Sequence, residues 1–151
     1  MNTDTIDQVT SKADILEASL RKQGGIVANL RKRINEARAA TCEKVDQHTL
    51  NQDLLAEINI LDNEIELATL ELNEMRRIDC SATHSRAEFG AVVETDKGAY
   101  FISAGFNDVS VANNNYCGIS VYSLMYDAMK GKRVGESFRW RNIQYTIEAI
   151  Y

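Results

Sequence analysis

LEASLRKQGGIVANLRKRINEARAAT, residues 16–41, and LLAEINILDNEIELATLELNEM, residues 54–75, decide the fold. In the first stretch Leu16, Leu20, Gln23, Val27, Leu30, Ile34, Ala37 and Thr41 follow alternating steps of four and three, the heptad spacing that keeps one helix seam facing a partner. Only Gln23 and the terminal Thr41 are polar. In the second, Leu54, Ile58, Leu61, Ile65, Ala68, Leu72 and Met75 repeat the rhythm without a polar interruption. Joined by the non-periodic residues Cys42 to Asp53, they predict an antiparallel helical hairpin with its tip at about 42–53.

Charge supports the pairing. Residues 12–44 carry eight Lys/Arg and four Asp/Glu, whereas residues 45–79 carry two Arg and nine Asp/Glu, so flanking charges on the two helices attract. Each exposed pair contributes only about 0.2–1 kcal/mol, and the apolar seam supplies the stability. The chain has no proline to break the helices. Gly24-Gly25 costs about 1 kcal/mol per residue relative to Ala, and a kink or break is expected there. At about 1.5 Å per residue the hairpin reaches on the order of 40–45 Å beyond its base. Arg31-Lys32-Arg33 reads as a solvated helix face.

The aromatic residues divide the chain. All 11 lie between Phe89 and Tyr151, and the first 88 residues have none. A compact core draws much of its buried area from aromatics, so the first part is elongated and the second globular. The division expected is a hairpin over 1–79, a connector over 80–88 and a β-rich domain over 89–151. The net charge of −5 lies wholly in residues 1–79, and residues 80–151 balance seven basic against seven acidic groups. A duplex-DNA-binding protein needs a basic patch that this charge pattern does not offer. Cys42, Cys80 and Cys117 are widely spaced and form no Cys-x-x-Cys pattern, so neither zinc nor a disulfide framework is indicated. Reduced thiols fit a cytoplasmic protein. The start Met-Asn-Thr-Asp-Thr-Ile-Asp is unlike a signal peptide, and no apolar run approaches the roughly 20 residues of a membrane span.

From Phe89 the pattern becomes that of short strands. Strands are expected at Phe89 to Glu94, Ala99 to Ser103, Val109 to Val111, Tyr116 to Val121, Phe138 to Arg141 and Ile143 to Ile150. A short helix spans Ser123 to Met129, with Leu124 and Ala128, and Met125 as a further candidate, facing inward and Gly131 beyond its end. No Gly-rich phosphate loop, Ser/His/Asp set or Cys/His pair appears, and His84 and Arg139-Trp140-Arg141 read as structural. By itself this half is a binding module. At the hairpin tip, Glu43 and Asp46 stand three apart, within reach of a common cation, and carboxylate oxygens are the ligands Mg²⁺ prefers. Solvated tip residues are the alternative. Read on its own, a hairpin of this kind is most often a dimerisation or scaffold device.

The order of hairpin then β-rich domain, with the segment Ile119-Ser120-Val121-Tyr122-Ser123-Leu124-Met125-Tyr126-Asp127-Ala128-Met129-Lys130-Gly131-Lys132-Arg133-Val134-Gly135-Glu136, resembles the Gre-type bacterial transcript-cleavage factors. Ile119, Ser120, Ser123, Ala128, Gly131, Lys132 and Gly135 match that family's Ile-Ser-x-x-Ser-Pro-Leu-x-x-Ala-Leu-x-Gly-Lys-x-x-Gly-Asp pattern. Tyr145-Thr146-Ile147-Glu148-Ala149-Ile150 resembles its last strand, Ile34 to Arg38 its Ile-x-x-Ala-Arg, and Arg77-Ile78-Asp79 its Val-Ile-Asp. The resemblance implies an α+β chain whose small antiparallel β-domain, with one short helix, is like FK506-binding proteins. It implies docking on RNA polymerase through Tyr122, Ser123 and Leu124, with the hairpin in the secondary channel. There Glu43 and Asp46 would help hold an Mg²⁺ shared with the polymerase, whose own active site then cleaves backtracked RNA near its 3′ end. The chain would be an accessory factor and not itself an enzyme.

The tip departs from the family. Glu43-Lys44-Val45-Asp46-Gln47 stands where the family has Asp-Leu-x-Glu-Asn, and alignment without a gap places Cys42 and Val45 at the acidic positions. At the docking loop Leu124 stands where the family commonly has Pro. A non-cleaving channel binder and a coiled-coil interaction protein unrelated to polymerase are the rival readings; a prolyl isomerase is suggested by fold analogy alone.

Overall fold

In the computed structural model the backbone is described for residues 3–43, 48–104 and 108–151, and the side chains for residues 12–41, 52–104 and 108–151. Helix α1 runs Thr3–Glu43 and helix α2 His48–Met75. The heptad seam is buried as its spacing requires: Val27, Leu30, Ile34 and Ala37 of α1 pack with Ile58, Leu61, Ala68 and Leu72 of α2. Gln23, the polar interruption, is also buried, and its Nε2 donates to the Ala68 carbonyl at 3.0 Å and to Glu71 Oε2 at 3.3 Å. Arg38 reaches Asp62 at 3.2 Å nearer the tip. Low numbers on α1 thus meet high numbers on α2, which is the antiparallel pairing. A single buried polar group of this kind fixes register, because any slip leaves its amide unpaired.

The hairpin differs from expectation in having no break at the glycine pair and in how few of its charges pair. Helix α1 is unbroken through Gly24-Gly25. A Cβ at either glycine meets nothing within 4 Å, so no packing requires glycine there, and the anchors Gln23 and Val27 on either side hold the helix to α2. The opposite charges of the helices yield one inter-helix ion pair among the described residues, Arg38–Asp62.

The second part of the chain is a six-stranded sheet in the order β3-β4-β2-β1-β6-β5. Its strands are β1 Val92–Thr95, β2 Gly98–Ser103, β3 Val109–Val111, β4 Asn114–Ser120, β5 Ser137–Trp140 and β6 Ile143–Ile150, with helix α3, Leu124–Met129, between β4 and β5. Four pairings are antiparallel, and β2–β4 is parallel. The β3–β4 and β5–β6 hairpins turn through Ala112-Asn113 and Arg141-Asn142, all four at positive φ, as tight two-residue hairpin turns require.

The central strands are buried on both faces. Val92 of β1 and Phe101 of β2 join one core, and their neighbours Val93 and Ile102 join another, the period-two alternation of a strand. The Val93 side is filled by Tyr126 and Met129 of α3 with Phe138, Tyr145 and Ile147, and the Phe138 and Tyr145 rings stack at 5.0 Å. On the Val92 side Ile15 and Leu16 of α1 and Met75 of α2 pack with Tyr116 and Tyr151. The root of the hairpin is therefore part of the core of the sheet.

Polar contacts lock that root. The buried Lys12 ammonium donates to the Ala82 carbonyl at 3.0 Å, fastening the connector to α1. Burial lowers the Lys12 pKa, while Cys80, Asp79 and Glu88 favour its charged form. Lys22 donates to the Asp108 carbonyl at 2.6 Å. In the connector His84 Nδ1 lies 2.7 Å from Glu88 Oε1, consistent with a structural role. Beyond Lys22 the free part of α1, Gln23 to Glu43, is about 30 Å long, shorter than the reach expected from the heptads because the first turns of the seam lie on the sheet.

Because both glycine sites are open and helical, Gly24→Ala and Gly25→Ala should each raise the unfolding free energy by up to about 1 kcal/mol, measured by urea denaturation followed by circular dichroism. Loss of stability in either variant would show that the pair relieves strain in the helix.

Candidate functional site

The loop from β4 into α3 carries the residues singled out for docking. Ser123 caps α3: its Oγ accepts from the Tyr126 N–H at 3.1 Å and donates to the Ser120 carbonyl at 2.7 Å. Ser120 Oγ accepts from the Tyr122 N–H at 3.1 Å. Once the cap fixes where α3 begins, the inward positions are Tyr126 and Met129. Leu124, expected to face inward, is instead 69% exposed, and Tyr122 is 82% exposed. The two serines thus hold a tight turn that presents a large apolar side chain on each side of Ser123.

Further matched residues shape the next turn. Gly131 and Gly135 have φ of +73° and +87°, a backbone region costly for other residues. The Gly131 N–H donates to the Ala87 carbonyl at 2.9 Å and the Gly135 N–H to the Ile147 carbonyl at 2.8 Å, tying the loop after α3 to the connector and to β6. Val134 in that loop is exposed.

Beside Tyr122 a cleft of about 270 Å³ opens between the hairpin root and the sheet, lined by Glu74, Arg77, Phe89, Val121 and Tyr122. Glu74 belongs to α2, and Arg77 follows its end. Exposed Tyr122 and Leu124, a cleft with an aromatic wall and an Arg/Glu rim form a patch where a partner's side chain can insert. Heptad and strand periodicity give no sign of this cleft, since it arises where two distant segments meet.

The tip stands differently. Glu43 is the last residue of α1, its side chain and that of Cys42 lie outside the described residues, and so does Asp46 with the rest of 44–47. As a donor set two carboxylates fit Mg²⁺, which commonly takes one or two from a protein. Among the described residues no group of three His, Cys, Asp or Glu is placed to hold a metal ion. Cys80 and Cys117 are free and half-buried, and burial pushes both thiols up in pKa. Among the described residues no helix is long and apolar enough to cross a membrane.

No family model matches the chain. No curated protein matches it either. Among solved structures, that of the transcription factor Gfh1 aligns over 89% of this chain and 94% of its own, at 18% identity and a TM-score of 0.34. A likeness of that size leaves function to be argued from this chain's own residues.

Ser123→Ala should lower the unfolding free energy by about 1 kcal/mol through loss of the cap. Leu124→Ser should change it by less than about 0.5 kcal/mol, because the side chain is exposed. Chemical denaturation of the two variants checks both, and a larger loss from Leu124→Ser would return that residue to the core.

Proposed function

We propose that the protein is a Gre-like transcription elongation regulator that docks on RNA polymerase at the secondary channel. The observation that carries this reading is the Ser120/Ser123 turn. The segment 119–136, which resembles the Gre pattern, folds so that its serines build the turn into α3 and its glycines the loop after it, while Tyr122 lines the cleft and Leu124 stands exposed. This patch sits at the hairpin root, so docking there leaves the free length of α1 and α2 to project into the channel.

In this reading the protein is an accessory factor acting on the polymerase's own hydrolytic activity. Glu43 and Asp46 are the residues that would share Mg²⁺ with the polymerase active site, and that ion supplies activation of water for cleavage of backtracked RNA. The chain's own contribution is to bind, to orient the tip and to present two carboxylates near the RNA 3′ end. It needs no independent hold on duplex DNA. A channel binder that inhibits without cleaving shares the docking surface and differs only at the tip.

The experiment is co-migration with core RNA polymerase, followed by transcript cleavage in backtracked complexes. Tyr122→Ala/Leu124→Ser should weaken polymerase binding at least tenfold. Glu43→Ala/Asp46→Ala should keep binding and abolish any stimulated cleavage. Retained cleavage in the tip variant would remove those acids from the mechanism, whereas binding without cleavage in the wild type would select the non-cleaving reading. Failure of the wild type to co-migrate would favour a coiled-coil interaction protein unrelated to polymerase.

A further inference from the structure

Helix α2 carries a second stripe, apolar but for Asn63, that no described residue covers. Ala56, Ile60, Asn63, Leu67 and Leu70 are spaced by four, three, four and three, the same alternation as the inner seam, and lie nearly opposite it on the helix. Ile60, Leu67 and Leu70 are 59%, 57% and 54% exposed, and Ala56 and Asn63 are exposed as well. Single exposed leucines are ordinary on protein surfaces, but a stripe in heptad register is the pattern of a helix-packing face.

The charges around the stripe select its occupant. Helical spacing places Asp53, Glu57, Glu64 and Glu71 along one flank and Glu66 along the other, and the sequence from Val45 to Met75 contains no Lys or Arg. Asp62, near the inner seam, is the one α2 carboxylate in an ion pair among the described residues, with Arg38. Glu71 is engaged by Gln23. Pairing of two α2 stripes from separate copies would bring these acidic flanks together, which like-charge repulsion opposes. A helix with an apolar face bordered by Lys or Arg meets the leucines and the acids together.

We infer that the outer face of α2 is a docking surface for a basic amphipathic helix, which lays its apolar side on Ile60, Leu67 and Leu70 and its cations against Glu57, Glu64 and Glu66. This helix-on-helix mode combines apolar burial for affinity with flanking charge for partner choice. The surface lies on a different element from Tyr122 and Leu124, so variants at either place leave the other surface intact and the two readings can be tested apart.

The test titrates the full chain into two fluorescent synthetic helical peptides with one leucine pattern, one with Lys and one with Glu at its polar positions, read by anisotropy. The Lys peptide should bind and the Glu peptide should not. Ile60→Ser/Leu67→Ser/Leu70→Ser, which leaves every charge in place, should weaken Lys-peptide binding at least tenfold. Glu57→Lys/Glu64→Lys, which leaves the leucines in place, should shift preference toward the Glu peptide, and this arm carries the test if the triple variant does not fold. Absence of Lys-peptide binding overturns the inference, as does equal binding by the triple variant, which would be attraction to net charge alone. Sedimentation that shows a wild-type dimer abolished by the triple variant also overturns it, because the stripe then belongs to a second copy.

Discussion

The sheet has two buried faces, and the rest of the structure depends on covering both. Val92 and Val93, or Phe101 and Ile102, point to opposite sides and are each almost wholly shielded. One side is closed by α3 and the β5–β6 hairpin, both local in sequence. The other is closed by Ile15, Leu16 and Met75, from the two ends of the helical hairpin. Without that root, Val92, Phe101, Tyr116 and Tyr151 would face water. Burial of a large apolar side chain contributes on the order of 1.5–3 kcal/mol, so the sheet and the hairpin stabilise one another. Tyr151 shows the same dependence at the chain's end: its backbone pairs with Val92 in both directions and its hydroxyl donates to Glu94 at 2.9 Å.

What the sequence made legible follows the range of the interactions. The inner seam is legible because the heptad residues meet partners on the neighbouring element, and the period holds on both sides of the tip, from Leu16 to Ala37 and from Ile58 to Met75. Strand positions are legible to within a few residues, since alternation and turn residues act locally. The phase of α3 is not, because six residues are too few for periodicity to choose a face, and the choice is made by the Ser123 cap. Lys12 is invisible to any pattern: its carbonyl partner lies 70 residues away. The parallel β2–β4 pairing is similarly a matter of topology, as β3 must pass to the sheet edge for β4 to lie beside β2. The docking residues expected from the resemblance, Tyr122, Ser123 and Leu124, divide in the structure into one structural serine and two exposed apolar groups.

That division bears on how a motif should be interpreted. Ser120, Ser123, Gly131 and Gly135 are where they are because a tight turn, a helix cap and two left-handed backbone conformations require them. They specify how the loop is built. The side chains that the loop leaves unconstrained are Tyr122, Leu124 and Val134, which the fold could replace freely, and under the proposed docking they are the ones that would choose the partner. A Leu at 124 also supplies a backbone N–H and an adaptable side chain that proline would lack.

The fastening of the hairpin root has a mechanical side. Lys12 to the Ala82 carbonyl, the Ile15/Leu16/Met75 cluster and Lys22 to the Asp108 carbonyl clamp α1 over nearly three turns before it leaves the sheet. A beam held over a length of its base behaves as a cantilever, and its end deflects under a given load as the cube of the free span. Shortening the span from 40 to about 30 Å therefore more than halves that deflection. Gln23, seated just where the span begins, resists sliding of one helix along the other. The positional accuracy of anything carried at the far end is thus set largely at the root, by residues that never approach it.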